Sequence, residues 1–514
     1  MEILMKKLAV IFAVLAMLFF VSCGDSKNDD KTDTGDSGDT VSDTGDTEPD
    51  GDTGADTGDT EPDGDSGADT GDSDPDGDTG ADTGDSDPDG DSGADTGDPE
   101  PDGDSGADTG DPEPDDDDLV TAYKKADDHA KQVTAKSVQA NNSLGMKIFS
   151  KVAAGEPGKN AMISPLSISI AMAMSTNGAS GENLDEMKEV LGFGDMALPD
   201  VNEQFKHLIA SLVAADKDLV LSIANSVWMR EDFSLDVKTA FTDVLNEFYD
   251  AEIFAEGFNI ENINAWVSEK TNGKIDKIVE EIGEDIVMYL INAIYFKAAW
   301  TTAFNEENTH SGTFTLSDGT ETQADYMSFS EAEEVPAFLA YSSDYGDEDG
   351  FSMIRIPYGR GVFAFYGIVP NYGNKSKIDD FIAKIAENGF EHYYSFITPM
   401  SDFPLLLPKF KFEYEKSLVG IFKELGMEKA FKPGGPFHNI ADDPHDPIIS
   451  DIKHKTFIEV NEAGTEAAAV TSVEYSDGAT PGGFFADRPF VFVIRDDRTG
   501  SILFIGKVEN PKAE

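Results

Sequence analysis

From Thr47 a thirteen-residue unit recurs about five times, reading Thr47-Glu48-Pro49-Asp50-Gly51-Asp52-Thr53-Gly54-Ala55-Asp56-Thr57-Gly58-Asp59 and restarting at Thr60, Ser73, Ser86 and Pro99. Almost nothing in it is apolar and its charges repel, so it has nothing to bury and is expected to stay extended and disordered. The segment Gly24–Asp118 holds about 38 of the 101 acidic residues and only two lysines, on the order of −36 of the net −63. About 95 such residues span roughly 55 Å root-mean-square as a coil, and repulsion stretches that further. Folding is thereby confined to Leu119 onward: roughly 400 residues carrying about −28, with apolar runs enough for a substantial core.

Two motifs inside the repeat fall short of the patterns they begin, and the sequence leaves open whether the repeat binds calcium. Asp74-Pro75-Asp76-Gly77-Asp78 begins like a calcium loop, but Thr79 intervenes before Gly80 and no Glu closes it. Gly64-Asp65-Ser66-Gly67 matches the string around a serine nucleophile, yet recurs at Gly90 and Gly103 in sequence with no core to hold a triad. The chain has no basic cluster, which disfavours nucleic acid as a partner.

The single cysteine, Cys23, excludes intramolecular disulfides and cysteine-based metal sites. Lys6 and Lys7 precede the apolar run Leu8–Val21, which is too short to span a membrane comfortably, and Ser22-Cys23-Gly24 supplies small residues for cleavage. The pattern resembles a bacterial lipoprotein signal (1–22) with Cys23 as the lipidated mature N-terminus, although Phe20 stands where Leu is usual. Glu2 is odd in a positive leader, so Met5 is a second candidate start. The expectation is an exported protein, lipid-anchored to a membrane or cell surface through Cys23, on a stalk over 23–118.

In the body (119–514), Leu144, Ile148 and Val152 have helical spacing, and Ser164-Pro165 offers a capping serine and a first-turn proline. Later runs rich in β-branched and aromatic residues, at 287–296, 362–369, 489–494 and 501–505, read as strands. Helices early and strands late predict an α+β fold with one large sheet. Thr456–Asn461 alternates like a half-buried strand, and Glu462-Ala463-Gly464-Thr465-Glu466-Ala467-Ala468-Ala469-Val470 then loses its large side chains. Such a run is too small to anchor a core, but it can slide between strands without clashing.

That run resembles the proximal hinge of the serpins, and the resemblance extends over 140–514. Asn160-Ala161-Met162-Ile163-Ser164-Pro165, Asn272-Gly273-Lys274-Ile275, Leu290 to Trp300, Leu407-Pro408-Lys409-Phe410, Leu425-Gly426-Met427 and Arg488-Pro489-Phe490 are similar to family motifs and occur in the family's order. The resemblance implies the serpin fold (helices, three β-sheets, a large central sheet and an exposed reactive loop), and inhibition without enzymatic activity. A target protease, serine-type or a cysteine protease, attacks the loop, and the acyl-enzyme is trapped as the loop inserts. Glu462, Gly464, Thr465, Ala467, Ala468 and Ala469 would form the hinge, Ser164, Ser167, Asn292 and His454 a polar shutter, and Trp300 the breach where insertion begins. Counting along the loop places the scissile bond at Gly478-Ala479, suited to an elastase-like or subtilisin-like protease. A slip moves it after Asp477, and Tyr475-Ser476 would suit a chymotrypsin-like one. A non-inhibitory surface-binding serpin is the alternative; such members usually carry charged, bulky or proline residues in the hinge, which is why the small run here favours inhibition. No nucleophile motif supports a hydrolase. His438, Asp442, Asp443, His445 and Asp446 read as a solvated acidic turn rather than a metal site. No cofactor is expected, and a monomer is.

Overall fold

The long apolar strand Met288–Ala299 is the backbone of the body, paired along its whole length with Leu219–Met229. A computed structural model describes residues 116–513, apart from 218, 330–337, 342–349, 372–377, 400–402, 435, 442–446, 466–472 and 475–482. The repeat, Cys23, Asp442, Asp443, His445, Asp446, Ala467, Ala468, Ala469, Gly478 and Ala479 lie outside the described residues.

Three sheets and a set of helices make the expected α+β architecture. The central six-stranded sheet runs in the order 410–417, 453–461, 464–465, 288–299, 219–229, 251–254, antiparallel except for the last pair. A seven-stranded sheet contains the late runs as Phe363–Pro370, Phe490–Asp496 and Ile502–Val508. A five-stranded sheet carries His310–Thr315 and Glu321–Met327, with Val473–Glu474 along its edge.

Helix formation follows the local signals. The helix Ala135–Gly155 buries Leu144, Ile148 and Val152 on one side. Ser164 caps the helix Pro165–Gly178 through its side chain, with Pro165 in the first turn, where a missing N–H costs nothing. That second helix is buried nearly all round and lies behind the central sheet. On the opposite face, the helix Ile260–Lys270 lays Ile263, Trp266 and Val267 over Trp228, Ile291 and Ala293 as a separate small core. The body begins earlier than Leu119: the helix Asp116–Ala130 starts within the acidic run, and its Ala126 and Ala130 are buried.

Candidate functional site

The strand Lys453–Asn461 alternates buried and half-buried residues, as its pattern predicted, then turns through Glu462-Ala463. Gly464 and Thr465 fold back as a two-residue strand. They pair with Asn461 and Val460 on one side, and with Ala299 and Ala298 on the other. The start of the hinge is therefore already seated between two sheet strands. Gly464 is required there by proximity: a Cβ would lie 2.0 Å from the Ala298 carbonyl oxygen. Thr465 is buried, with its Oγ1 2.7 Å from the Tyr358 hydroxyl.

The turn is fastened by buried groups. Glu462 is only 4% exposed; its carboxylate accepts from the Thr309 hydroxyl (2.7 Å) and pairs with the Lys409 ammonium at 2.8 Å. The Phe304 N–H donates to the Glu462 carbonyl and the Trp300 N–H to that of Ala463. The Trp300 indole N–H donates to the Asn461 carbonyl (2.9 Å). Its ring stacks on Tyr358 with centroids 4.5 Å apart and meets Phe304 and Phe365 edge-on. Trp300 thus lies at the seated end of the hinge.

Below Thr465 the described strands leave the sheet open. Among the described residues, the strand Met288–Ala299 meets Lys453–Asn461 only through Gly464 and Thr465; lower down, each pairs only with its outer neighbour. Between them lies a cleft of about 760 Å³, floored by Ser167, Ala171 and Met172 and walled by Leu290, Asn292 and His454. Two strand edges that face one another without pairing among the described residues are a template for another strand.

The polar group expected beneath these strands is only partly assembled. Ser164, Ser167 and His454 come together: the Ser164 N–H donates to His454 Nε2 (2.9 Å), and Ser164 Oγ accepts from the Ser167 N–H (3.2 Å). Burial pushes the His454 imidazole down to about 4, so it is neutral, with its proton on Nδ1. Asn292 departs from the expectation. It stands across the cleft and donates from Nδ2 to Asn225 Oδ1 (2.7 Å), which in turn holds the Tyr249 carbonyl. Its own Oδ1 is buried and accepts nothing among the described residues. The open cleft separates the amide from its expected companions. Thr309, Tyr358, Asn225 and Lys409 escaped sequence reasoning; Lys409 lies inside a recognised motif, whereas the other three carry no local signal. Among the described residues no group of acidic, histidine or cysteine side chains could hold a metal.

Comparison with known proteins supplies the family. The model of the family "Serpin (serine protease inhibitor)" matches residues 139–511. The chain is a serpin. It is 32% identical to Iripin-2 of Ixodes ricinus, over 73% of this chain and 94% of that protein, and 31% identical to Serpin-Z10 of Arabidopsis thaliana, over 73% and 98%. The thermophilic serpin tengpin in its native state superposes with a TM-score of 0.62 at 30% identity, covering 73% of this serpin and 94% of tengpin, and tengpin in its latent state scores 0.61. Thyroxine-binding globulin with thyroxine also matches, at a TM-score of 0.64 and 25% identity, over 73% of this serpin and 99% of that chain. Serpins are in general protease inhibitors, but the fold also serves a thyroxine binder.

Proposed function

We propose that this serpin inhibits serine-type endopeptidases by loop cleavage, acyl-enzyme capture and insertion of the cut loop into the cleft of the central sheet. The observation that carries the reading is the seating of Gly464 and Thr465 above two unpaired strand edges. Extending their register one residue at a time would pair Glu466 with Lys297 and end with Tyr475 opposite Met288. Side chains alternate along a strand, so Ala467, Ala469 and Thr471 would face inward with Thr465, while Glu466 and Glu474 face out. The same extension sets Thr471 opposite Asn292 on one side and His454 on the other. Its hydroxyl would supply the hydrogen bond that the buried Asn292 Oδ1 lacks.

The protein contributes the substrate loop and the stored difference between an empty and a filled cleft; the nucleophile belongs to the target. The protease attacks the loop carbonyl and is acylated. Zipping of the new strand then carries the ester away from its catalytic setting before water can cleave it. We read Gly478-Ala479 as the scissile bond, an elastase-like or subtilisin-like enzyme as the target, and Cys23 as a lipid anchor; Cys23→Ala then moves the protein from the membrane to the soluble fraction.

The deciding experiment mixes the full-length protein with elastase-, subtilisin- and chymotrypsin-like proteases. Trapping gives an SDS-resistant complex and a C-terminal fragment of about 36 residues, counted from Ala479, whose mass fixes the bond. Clean cleavage with no complex and no gain in thermal stability would leave the binding-protein reading instead.

A further inference from the structure

The helix Asp116–Ala130 precedes the family match, which begins at 139, yet it packs along the helix Leu198–Val213. Two features of that contact reach further than packing. First, Asp127 Oδ1 accepts from both the Arg360 guanidinium (3.2 Å) and the Arg498 guanidinium (3.1 Å). Arg360 also lies 4.5 Å over the Tyr123 ring of the same helix, and donates from its backbone N–H to Asp216 (2.7 Å) and from Nε to the Ala215 carbonyl (2.6 Å). Arg360 sits in the turn that follows Tyr358, the residue that holds Thr465. Between them, the Gly359 N–H donates to the Ala299 carbonyl, and its own carbonyl accepts from Thr301. The helix therefore grips a turn two residues from the hydroxyl that pins the hinge.

Second, the imidazoles of His129 and His207 meet Nδ1 to Nδ1 at 2.9 Å. One hydrogen can lie between these nitrogens; with both rings protonated, two N–H groups would point at each other. The charged groups around the pair are Asp128 on the same helix, already engaged by Lys124 and Lys131, and Lys206 on the facing helix. The guanidiniums of Arg360 and Arg498 are taken by Asp127.

We propose that the helix Asp116–Ala130 is a proton-sensitive latch: docked, it holds the Gly359–Gly361 turn and through Tyr358 the seated Thr465, and double protonation of the His129–His207 pair undocks it and frees the hinge. Burial first, and then the charge of His207, hold the His129 imidazole below its usual range. Docking is therefore favoured above about pH 6.5 and weakens as pH falls below it. The inference does not depend on which protease meets the loop.

Amide exchange of the full-length protein between about pH 7.5 and 5.5, corrected for the intrinsic pH dependence of exchange, reads both ends of the device. Protection of residues 116–130 is expected to fall by up to about tenfold per pH unit below roughly 6.5, and exchange at Gly464 and Thr465 to rise with it. His207→Gln keeps a hydrogen-bonding partner for His129 without titrating, and should remove both acid responses. Asp127→Asn should raise hinge exchange already at neutral pH. Helix protection that ignores pH, an acid response that survives His207→Gln, or undocking that leaves Gly464 and Thr465 unchanged would each overturn the proposal.

Discussion

Glu462 shows how a single buried carboxylate can hold a turn. Its charge is buried, so it stays there only because Lys409 and Thr309 satisfy it. Glu462→Ala removes the acceptor of the Thr309 hydroxyl and one partner of the Lys409 ammonium, and should lower the stability of the uncut protein by roughly 1–2 kcal/mol, read from the urea midpoint, whereas Glu462→Gln should cost about 1 or less. His454 gives a second prediction at this scale. Its folded value of about 4 lies below the ordinary histidine value of about 6.5, so protonation favours the unfolded chain. Its contribution is complete above about pH 6.5 and declines as pH falls towards 4. His454→Gln should flatten the stability-against-pH curve in that window by up to about 1.4 kcal/mol per pH unit, measured by denaturant titration. Gly464 was legible as a pivot from the sequence. Its backbone has φ +152°, which residues with side chains rarely adopt, and contact adds a second reason: the Ala298 carbonyl occupies the place of a side chain.

At the scale of the element, the hinge is a strand begun and not finished. Thr465 fills a buried position between Ala298 and Val460, so Thr465→Arg forces a long charged side chain into a space without room or partner. That variant is expected to be cleaved by the target protease as an ordinary substrate, with no SDS-resistant complex on a gel. Thr471→Val keeps the shape and removes the hydroxyl destined for Asn292. It should leave the uncut protein unchanged and reduce the stability of the cleaved, inserted form by roughly 1–2 kcal/mol. The alternating run before Glu462 and the small run after it made this element readable, because period and side-chain size are local properties. The capped helix at Ser164-Pro165 and the late strands were readable for the same reason. The shutter was not fully readable. Asn292 and His454 lie on strands whose separation is set by what lies between them, and spacing along a chain carries no measure of that gap.

For the whole molecule, the proposed mechanism draws its driving force from the difference between an empty and a filled cleft. Ten residues zipped between two unpaired edges would gain on the order of twenty backbone hydrogen bonds, about ten to each edge, worth roughly 10–20 kcal/mol net. Cleavage within the loop should then raise the Tm of the body by on the order of 10 °C, followed by calorimetry before and after limited proteolysis. The overall class was legible because the motifs run in order from Asn160 to Phe490. The helix Asp116–Ala130 was only half legible: its first turn is drawn from the acidic run, and its grip depends on Arg360 and Arg498, far along the chain. The paired bare edges of the cleft have one more effect. They accept any strand of matching pleat, and a neighbouring copy carries one of identical sequence. With Cys23 acting as the proposed anchor, lateral density would become a variable of the chemistry: sparse copies would keep their own loop for their own cleft, while crowded ones would meet a competing acceptor at arm's length.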